Sequence, residues 1–470
     1  MKLKFCGAAR EVTGSCHLIT LQDGYKILLD CGLYQGDNDN LEDFNERFFF
    51  KPHEIDCVIL SHAHIDHCGR LPKLVKDGFA GSIYCTHPTK GLTSILLVDS
   101  AKIQEEDFKY HNKKAKRNKE PLRTDPLYTV TDVYKTMKQF VSYGYENQFH
   151  VHPAVKVLFR DAGHILGSAN VSLEIKENNK TIRLSFTGDI GRPNRPILRD
   201  PVPMPAADYI ICESTYGDKE HQSAPNELNT LRDIIHHVCV EKRGKLIIPA
   251  FSVGRTQELI YMMDQLSNAG ELPSIPVYVD SPLAVNATDI FAAHPECFDE
   301  ETFKYLMYDS NPFGFNNLNY VREIRQSKRL NSYKNASVII SASGMANAGR
   351  VKHHLFNNIE NPKNGVLIVG YCTPNSPGGI LRAGGKEVNL FGQTKQVNAE
   401  VFVMDSFSAH GDRKEMTAFL SNQKSVAKKI FLVHGEIERQ TSFKGYLQDN
   451  GFVHTEIDIP RLGDEVEING

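Results

Sequence analysis

The fold predicted for this chain follows first from one short segment: Ser61-His62-Ala63-His64-Ile65-Asp66-His67. It follows the apolar run at residues 57–60, which has the pattern of a buried strand, and helical spacing begins at Leu71. The segment is therefore predicted to be a strand-to-helix loop. On an extended loop the first two histidines face the same way and can hold one metal ion. The aspartate and the third histidine can turn toward a second ion.

Two metal ions on such a loop imply hydrolytic chemistry. Ions about 3.5–4 Å apart can share a hydroxide and stabilise both the attacking and the leaving oxygen of a phosphoryl transfer. The same geometry suits ester and amide hydrolysis, so the loop alone does not identify the substrate. A histidine-rich surface loop without metal is the alternative. Four ligand-type residues within six positions favour the metal site, as do His164 and Asp189, each following a predicted strand.

Length and charge limit the classes of protein to consider. A chain of 470 residues is too long for one simple core and predicts two domains, or one domain interrupted by another. The 54 Lys and Arg residues against 57 Asp and Glu residues give a formal charge of −3. Bulk positive charge is therefore excluded as the basis of nucleic-acid binding, which would need a local basic surface.

Cysteine usage and hydropathy favour a reducing compartment. None of the ten cysteines is spaced as C-x-x-C, and several lie in apolar runs, which is typical of buried thiols. The first residues lack the pattern of a secretory signal, and no apolar stretch is long enough to span a bilayer. We expect a soluble cytoplasmic protein that makes no use of a membrane.

The pattern of predicted strands and helices changes twice along the sequence. From about Gly217 to Gln396, apolar strand candidates alternate with helical stretches, the βαβ rhythm of a parallel, doubly wound sheet. The earlier pattern then returns at Glu400–Met404 and Lys429–Val433, which are followed by His410 and His434. The residues of one site are therefore expected to flank an α/β insert.

At this point the chain resembles a known family. Asp30 after a strand, the H-x-H-x-D-H segment, His164 and Asp189 together resemble the metallo-β-lactamase superfamily. Three later motifs resemble its β-CASP branch of nucleic-acid-processing nucleases, relatives of the cleavage and polyadenylation specificity factor nuclease subunit. They are Glu213 in Glu-Ser-Thr-Tyr-Gly, His410 in Phe-Ser-Ala-His and His434 in Val-His-Gly-Glu.

The resemblance covers essentially the whole chain and implies an α/β fold. It implies a metallo-β-lactamase αββα sandwich formed by residues 1–216 and 397–470. A β-CASP domain with a parallel doubly wound sheet is inserted at residues 217–396.

The resemblance also implies two zinc ions and a set of ligands: His62, His64 and His164 for the first ion; Asp66, His67 and His434 for the second; and Asp189 bridging both. Asp30 is expected just outside the ligands, orienting one by a hydrogen bond. A hydroxide shared by the zinc ions, to which Asp66 contributes, is the expected nucleophile. His410 is the expected general acid, with Glu213 keeping it protonated.

Three turns in the insert also resemble the β-CASP domain: residues 249–257, 280–282 and 341–345. Each is a strand end, a small-residue turn and a helix start, which presents backbone N–H groups to an anion. Ser252, Ser343 and Gly344 are therefore predicted to bind RNA phosphates, with Arg255 and Arg350 supplying guanidinium groups. In the alternative interpretation the glycines only serve tight turns and the arginines cap helices.

Two other segments leave alternatives open. One is the basic segment at residues 113–119, Lys-Lys-Ala-Lys-Arg-Asn-Lys. It is predicted to be a solvated helix end or loop, and a phosphate-attracting arm is the alternative interpretation. Residues 370–379 depart from the family pattern and contain two prolines, although Arg382 keeps an arginine nearby. The departure puts the usual substrate contacts of that loop in doubt.

The leading hypothesis is a zinc-dependent endoribonuclease that leaves a 3′-hydroxyl and acts on single-stranded RNA. In the family resembled, a histidine at the position of His434 goes with RNA-processing members. The alternatives are a DNA nuclease of the repair type, an inactive scaffold subunit, and a small-molecule metallohydrolase. The insert of roughly 180 residues argues against the last, since inserts of that size usually shape a substrate site. A homodimer is an option that the resemblance raises.

Overall fold

The computed structural model describes residues 1–35, 41–221, 226–370, 372–404 and 408–469, with only the backbone of residues 41 and 42. Tyr371 and Phe407, which belong to segments discussed above, lie outside the described residues. The chain forms two compact units. The first comprises residues 1–195, 199–220 and 409–470, and the second residues 196–198 and 221–408.

The strands are short, as expected from the closely spaced turn residues. In chain order they are β1 (Lys2–Phe5), β2 (His17–Thr20), β3 (Lys26–Leu29), β4 (Cys57–Ile59), β5 (Ser82–Thr86), β6 (Phe140–Tyr143), β7 (Phe149–His152), β8 (Val155–Asp161), β9 (Ala169–Glu177), β10 (Lys180–Phe186), β11 (Tyr209–Glu213), β12 (Lys245–Pro249), β13 (Val277–Val279), β14 (Leu318–Tyr320), β15 (Ser337–Ser341), β16 (Gly365–Val369), β17 (Glu387–Leu390), β18 (Gln393–Gln396), β19 (Glu400–Met404), β20 (Lys429–Val433), β21 (Glu456–Asp458) and β22 (Glu465–Glu467).

The α-helices range from one turn to 32 residues. They are α1 (Leu41–Glu46), α2 (Ile65–Cys68), α3 (Leu71–Lys76), α4 (His87–Asn118), α5 (Val130–Met137), α6 (Glu227–Ile235), α7 (Arg255–Asn268), α8 (Pro282–Ala293), α9 (Glu300–Tyr305), α10 (Ile324–Ser332), α11 (Arg350–Asn358), α12 (Pro377–Arg382), α13 (Arg413–Phe419) and α14 (Ile437–Asp449). Helix α4 begins with Pro88 in its first turn and with the Thr86 hydroxyl accepting the Thr89 N–H, a strong start signal.

Two seven-stranded sheets form the first unit, in the orders β22-β1-β2-β3-β4-β5-β6 and β21-β20-β11-β10-β9-β8-β7. One apolar cluster contains side chains of both sheets, so the sheets pack face to face. The Phe5 and Phe431 rings, one from each sheet, have centroids 5.2 Å apart. In β8 the burial alternates along the strand, because one face enters this core.

Helices cover the outer face of each sheet. On one side Leu71 and Leu97 of α3 and α4 pack with Val58 of β4. On the other side Met416 and Phe443 of α13 and α14 pack among residues of the second sheet. The order helix, sheet, sheet, helix is the αββα sandwich that the sequence predicts, so this part of the fold class is confirmed.

The second unit contains a six-stranded sheet in the order β14-β13-β15-β12-β16-β19, whose strand pairs are all parallel. Ile247 of β12 packs with Val351 and Leu355 of α11 on one face. On the opposite face Val238 lies close enough that a Cβ on Gly365 would be 2.7 Å from its Cγ2. Helical segments on both faces make this the predicted doubly wound α/β domain.

One predicted boundary is wrong. The sequence pattern places Glu400–Met404 in the final part of the sandwich, but as β19 this segment pairs in parallel with β16 and completes the sheet of the second unit. The second unit therefore extends to Ser408 rather than ending at Gln396. An apolar strand has the same pattern in either sheet, and only the pairing distinguishes them. Within the described residues, no helix combines the length and apolar character that crossing a membrane requires.

Candidate metal centre

Four predicted ligands converge in the first unit as one donor set. The Nδ1 atom of His64 lies 3.1 Å from Nε2 of His62 and 3.1 Å from Nε2 of His164. Asp189 Oδ2 lies 3.3 Å from Nε2 of His62 and 3.4 Å from Nε2 of His164. The four donors come from three places in the chain: the loop after β4, the loop after β8 and the loop after β10.

A second donor set lies beside the first. Nε2 of His67 is 3.1 Å from Nε2 of His434, which in turn is 3.3 Å from Asp66 Oδ2. Asp189 joins this set as well, through its other oxygen: Oδ1 lies 3.3 Å from Nε2 of His67. The two oxygens of this one buried carboxylate thus face different donor sets, and Oδ1 has no hydrogen-bond partner among the described residues.

Hydrogen bonds on the far side of the rings fix two histidine tautomers through Asp30. This carboxylate is fully buried, and its Oδ2 accepts the Nδ1–H of His67 at 2.7 Å. Oδ2 also accepts the Ser61 hydroxyl at 2.9 Å, so the Ser61 oxygen is left to accept the Nδ1–H of His62 at 3.0 Å. Both histidines therefore turn the Nε2 lone pair toward the centre.

The other two Nε2 donors are oriented in the same way. The Ala409 carbonyl accepts the Nδ1–H of His164 at 3.3 Å. The Thr215 hydroxyl donates to the His434 carbonyl and accepts the Nδ1–H of His434 at 3.0 Å. These bonds direct the Nε2 lone pair of each ring into the centre. The sequence pattern did not indicate a role for Ser61 and Thr215, although Ser61 directly precedes His62 and Thr215 lies two residues after Glu213.

The protonation of the first set suits metal binding, which requires neutral imidazoles. Burial lowers the pKa of His64 to about 3. Burial also lowers the pKa of His62, and it lowers the pKa of His164 well below the usual value. At neutral pH these rings carry no proton on the nitrogens that converge.

Carboxylates dominate the electrostatics of the second set. Burial by itself would lower the pKa of His67, but Asp189, Asp66 and Asp30 outweigh it and raise that pKa well above its usual value. Burial would raise the pKa of Asp189, but the surrounding histidines hold it well below its usual range. Ionised carboxylates buried together require a compensating cation.

These observations test whether the residues fit the metal ions that the family resemblance implies. In a tetrahedral zinc site with bonds of about 2.0–2.1 Å, neighbouring ligand atoms lie about 3.3 Å apart. The shortest donor separations here are 3.1–3.4 Å in both sets. Lone pairs converge at that spacing, and Asp189 offers an oxygen to each set. The residues therefore fit two divalent cations.

Backbone conformation places two of these residues at sharp strand ends. Asp30 follows β3 with φ of +56°, and His434 follows β20 with φ of +52°. Few residues other than glycine adopt this left-handed conformation, and it costs about 1–3 kcal/mol. The cost is offset for Asp30 by four hydrogen bonds from Ser15, Ser61 and His67.

His410 and Glu213 form a third cluster, next to Asp189. Nδ1 of His410 lies 3.0 Å from Glu213 Oε2, and its Nε2 lies 3.9 Å from Asp189 Oδ2. Burial would lower the pKa of His410, but the Glu213 and Asp189 carboxylates raise it to about 9. The ring is therefore an imidazolium at neutral pH, with its second N–H directed toward the donor sets.

The five predicted phosphate-binding residues lie in the second unit. Ser252 is buried with its hydroxyl 3.1 Å from that of Ser281, and Arg255 is paired with Glu258. The Arg350 guanidinium donates to Asp280 Oδ1 at 2.6 Å.

The remaining two form a turn after β15. The Ser343 hydroxyl donates to Asn347 Oδ1 at 2.8 Å. Gly344 packs so closely on Phe251 that a Cβ would lie 2.9 Å from its ring, and this ring is 46% exposed. In the altered loop, Arg382 donates to the Gly370 carbonyl. A phosphate-binding role for the five residues stays a prediction.

Family models match three parts of the chain. The Metallo-beta-lactamase superfamily matches residues 9–135, and the Beta-Casp domain matches residues 256–381. The Zn-dependent metallo-hydrolase RNA specificity domain matches residues 394–460. The ribonuclease TTHA0252 of Thermus thermophilus is 31% identical over 468 residues, which cover 100% of both chains. The chain belongs to the β-CASP family of the metallo-β-lactamase superfamily.

Other β-CASP relatives are longer than this chain. The transcription termination factor FttA of Methanocaldococcus jannaschii is 30% identical over 94% of this chain and 68% of its own length. The cleavage and polyadenylation specificity factor 73 of Drosophila melanogaster is 30% identical over 95% of this chain and 62% of its own length. The family resemblance drawn from the motifs is thereby confirmed.

Proposed function

We propose that this β-CASP protein is a zinc-dependent ribonuclease that cleaves RNA phosphodiester bonds endonucleolytically and leaves a 3′-hydroxyl. The observation that carries the proposal is the pair of donor sets joined through the two oxygens of Asp189, with the His410 imidazolium beside them. A phosphodiester is the substrate class that this arrangement suits best, since it presents an anionic centre and a leaving oxygen that needs a proton.

Zinc is the proposed metal because the donors are mainly imidazole nitrogens with carboxylates, at tetrahedral spacing. His62, His64 and His164 would hold one ion and Asp66, His67 and His434 the other, with Asp189 bridging both. When bound, the ions would supply an activated water and neutralise charge on the phosphate.

The residues of the chain itself supply orientation and a proton. Glu213 is fully buried, and its Oε1 accepts the Ile190 N–H at 2.5 Å, which fixes the carboxylate. Glu213 in turn fixes the His410 ring through Nδ1, so that the Nε2–H stays directed toward the donor sets. This N–H protonates the leaving oxygen as general acid.

RNA is favoured over DNA by two findings. A domain described as determining RNA specificity matches residues 394–460, which include His410 and His434. Relatives that match nearly the whole chain are named for ribonuclease activity and for cleavage and polyadenylation. In the second unit, Ser343 and Gly344 are the proposed phosphate contacts, beside the exposed Phe251 ring on which a base can stack.

A cytoplasmic location belongs to the same proposal. All ten cysteines are buried and none is in a disulfide bond, which is the state expected in a reducing compartment.

The test is cleavage of matched end-labelled single-stranded RNA and DNA by protein of measured zinc content. We expect the RNA to be cut at internal positions and the DNA to be cut far more slowly. Asp66→Ala should lose zinc and activity together, whereas His410→Ala should keep its zinc and lose activity. His454→Ala is the matched control, because this histidine is exposed and distant in sequence from every donor.

Each alternative outcome has a separate meaning. Faster cleavage of DNA would overturn the choice of substrate and leave the metal site intact. Zinc binding without cleavage of either polymer would overturn the nuclease proposal. Full activity in His410→Ala would show that His410 is not the general acid, and the rest of the proposed function would stand.

A further inference from the structure

The C-terminal part of helix α4 concentrates positive charge. Residues 108–119, here called the basic arm, contain six Lys and Arg residues and no Asp or Glu, although the whole chain has a formal charge of −3. Of these twelve residues only Ala115 is buried. The arm is thus a local basic surface on a protein that is slightly acidic overall.

Helical spacing gathers the charges on one face. Lys109, Lys113 and Lys116 follow one another at intervals of four and three, and Arg117 lies next to them. All four side chains are exposed, and within the described part of the chain none of them forms an ion pair. The charges are therefore available to a partner.

The other face of the arm is attached to the protein. Asn112 forms two hydrogen bonds with the backbone of Arg123, at 2.9 and 3.0 Å, in the segment that returns toward α5. Ala115 is buried on the same face. The returning chain thus covers one side of the helix, and the lysine face stays open to solvent.

An exposed aromatic ring lies among these charges. Tyr110 is 66% exposed, and it precedes Lys113 and Lys114 by one helical turn. Basic side chains interleaved with an exposed aromatic ring are the combination that binds single-stranded nucleic acid, because the charges attract phosphates and the ring stacks on a base.

Stabilisation of the helix alone does not explain the pattern. Positive charges favour a helix C-terminus, but the effect falls off within the last turn. It accounts for Lys116 and Arg117 in the last turn, whereas Lys109 and Lys113 lie further back. Like charges four residues apart, such as Lys109 and Lys113, are mildly unfavourable in a helix, and a bound phosphate would offset this repulsion.

The same helix leads back to the candidate metal centre. At its N-terminus the hydroxyls of Thr86 and Thr89 donate to the Gly167 carbonyl, in the loop that carries His164. With a rise of about 1.5 Å per residue, the charged face from Lys109 to Arg117 lies roughly 30–42 Å along the helix from this contact. A stacked strand of about 9–12 nucleotides has that length.

We propose that the basic arm is a second docking site for the RNA backbone, remote from the bond that is cut. The inference rests on the proposed function, since it takes RNA as the substrate. The arm binds phosphates without sequence preference and increases the affinity for RNA that is long enough to reach it. A substrate confined to the metal centre does not use it.

The experiment compares two variants of the full-length zinc protein. The arm variant carries Lys109→Gln, Lys113→Gln, Lys116→Gln and Arg117→Gln. The control carries Lys51→Gln, Lys135→Gln, Lys176→Gln and Lys428→Gln, which are exposed lysines scattered over the first unit. Both variants lose four positive charges, and glutamine preserves helix propensity in the arm.

Binding and cleavage are measured with single-stranded RNA of about 40 nucleotides and of about five nucleotides, over a range of salt concentrations. For the long RNA, we expect the arm variant to raise Kd roughly ten-fold. The slope of log K against log salt should flatten by about 0.7 for each phosphate that the arm no longer neutralises. Zinc content, and the cleavage rate of the short RNA at saturation, should equal those of the control.

Three results would overturn the inference. The first is equal affinity of the arm variant and the control for the long RNA. The second is an equal loss of affinity for long and short RNA, which would mean a general charge effect. The third is an unchanged salt slope. If the wild-type protein neither binds nor cuts either RNA, the proposed function itself fails, and the two failures are thus distinguished.

Discussion

Glu213 holds His410 at a distance of 3.0 Å between carboxylate Oε2 and ring Nδ1, and the carboxylate is completely buried. The N–H groups of Ile190 and Thr215 both donate to this carboxylate, so its orientation is set by the backbone. His410 in turn presents Nε2 at 3.9 Å from Asp189 Oδ2. A carboxylate without access to solvent thus positions a proton donor at the edge of the candidate metal centre.

Glu213→Gln is expected to impair His410 as proton donor while the metal site stays intact. The protonated ring is the active form, so wild-type cleavage should fall as pH rises through about 9, the raised pKa of His410. Burial lowers this pKa and Glu213 raises it, so removing the negative charge should move the alkaline limb to lower pH. At alkaline pH we expect a loss of roughly 10²-fold in kcat/KM.

The measurement is the pH dependence of RNA cleavage, with zinc content determined in parallel. Glu438→Gln, an exposed glutamate in α14, is the control and should leave the profile unchanged. An alkaline limb that stays in place in Glu213→Gln would show that Glu213 does not set the protonation of His410.

Asp30→Asn is expected to weaken metal binding without removing a ligand. Its Oδ2 accepts from His67 Nδ1 and from the Ser61 hydroxyl, which orients His62. In the asparagine variant an NH2 group replaces one carboxylate oxygen and faces a group that also donates a hydrogen bond. The loss of such a hydrogen-bond acceptor beside a metal ligand lowers metal affinity by about 10–100-fold. Competition with a chromophoric chelator measures the affinity.

Asp125→Asn, at an exposed carboxylate, controls for the change of charge. Equal zinc affinity of Asp30→Asn and wild type would mean that the two histidines keep their orientation without Asp30.

Asp161→Asn is expected to change how stability depends on pH. Burial raises the pKa of Asp161 to about 7, against the usual value of 3.8. The folded state therefore binds the proton more tightly than the unfolded state, and the contribution of this group to stability is lost as pH rises from about 4 to about 7. The asparagine variant should lack this loss, since its oxygen can still accept the Gly163 N–H.

The free energy of unfolding, measured by denaturant titration from about pH 4 to about pH 8, tests this directly. The difference between variant and wild type should grow in favour of Asp161→Asn as the pH rises and then level off. A constant difference over the whole range would mean that Asp161 is ionised in the folded state throughout.

Removal of zinc is expected to destabilise the first unit. A ligand that binds only the folded state, at about 1,000 times its Kd, contributes about 4 kcal/mol. Chelation should therefore lower the Tm of the transition that reports on the first unit, and restored zinc should raise it. In His62→Ala the shift should shrink, whereas His454→Ala should keep the full shift. A Tm that does not depend on zinc in the wild type would argue against two tightly bound ions.

The sequence predicted the donor loops because strand ends have strong local signals. A buried apolar run followed by a polar ligand-type residue identifies β4, β8, β10 and β20 within one or two residues of their bounds. The H-x-H-x-D-H segment then supplies four of the seven predicted ligands from one loop. The other three predicted ligands, His164, Asp189 and His434, each follow a strand, and their assignment came from the family resemblance. That the seven residues bind metal stays a prediction.

Other features depend on contacts between segments distant in sequence. In four of the five histidines, the ring nitrogen that faces the centre is set by Ser61, Asp30, Thr215 or a backbone carbonyl. The assignment of β19 to the second unit depends on its pairing with β16. The ion pair of Arg350 with Asp280 joins residues 70 positions apart, and no local pattern indicates that this guanidinium is engaged.

The most direct test of the account is a titration of metal-free protein with zinc while the cleavage of single-stranded RNA is followed. Because Asp189 offers one oxygen to each donor set, we expect full activity only when about two equivalents of zinc are bound. Asp189→Asn should bind zinc more weakly and stay inactive. Full RNA cleavage at one equivalent, or cleavage that persists without zinc, would contradict the two-metal account.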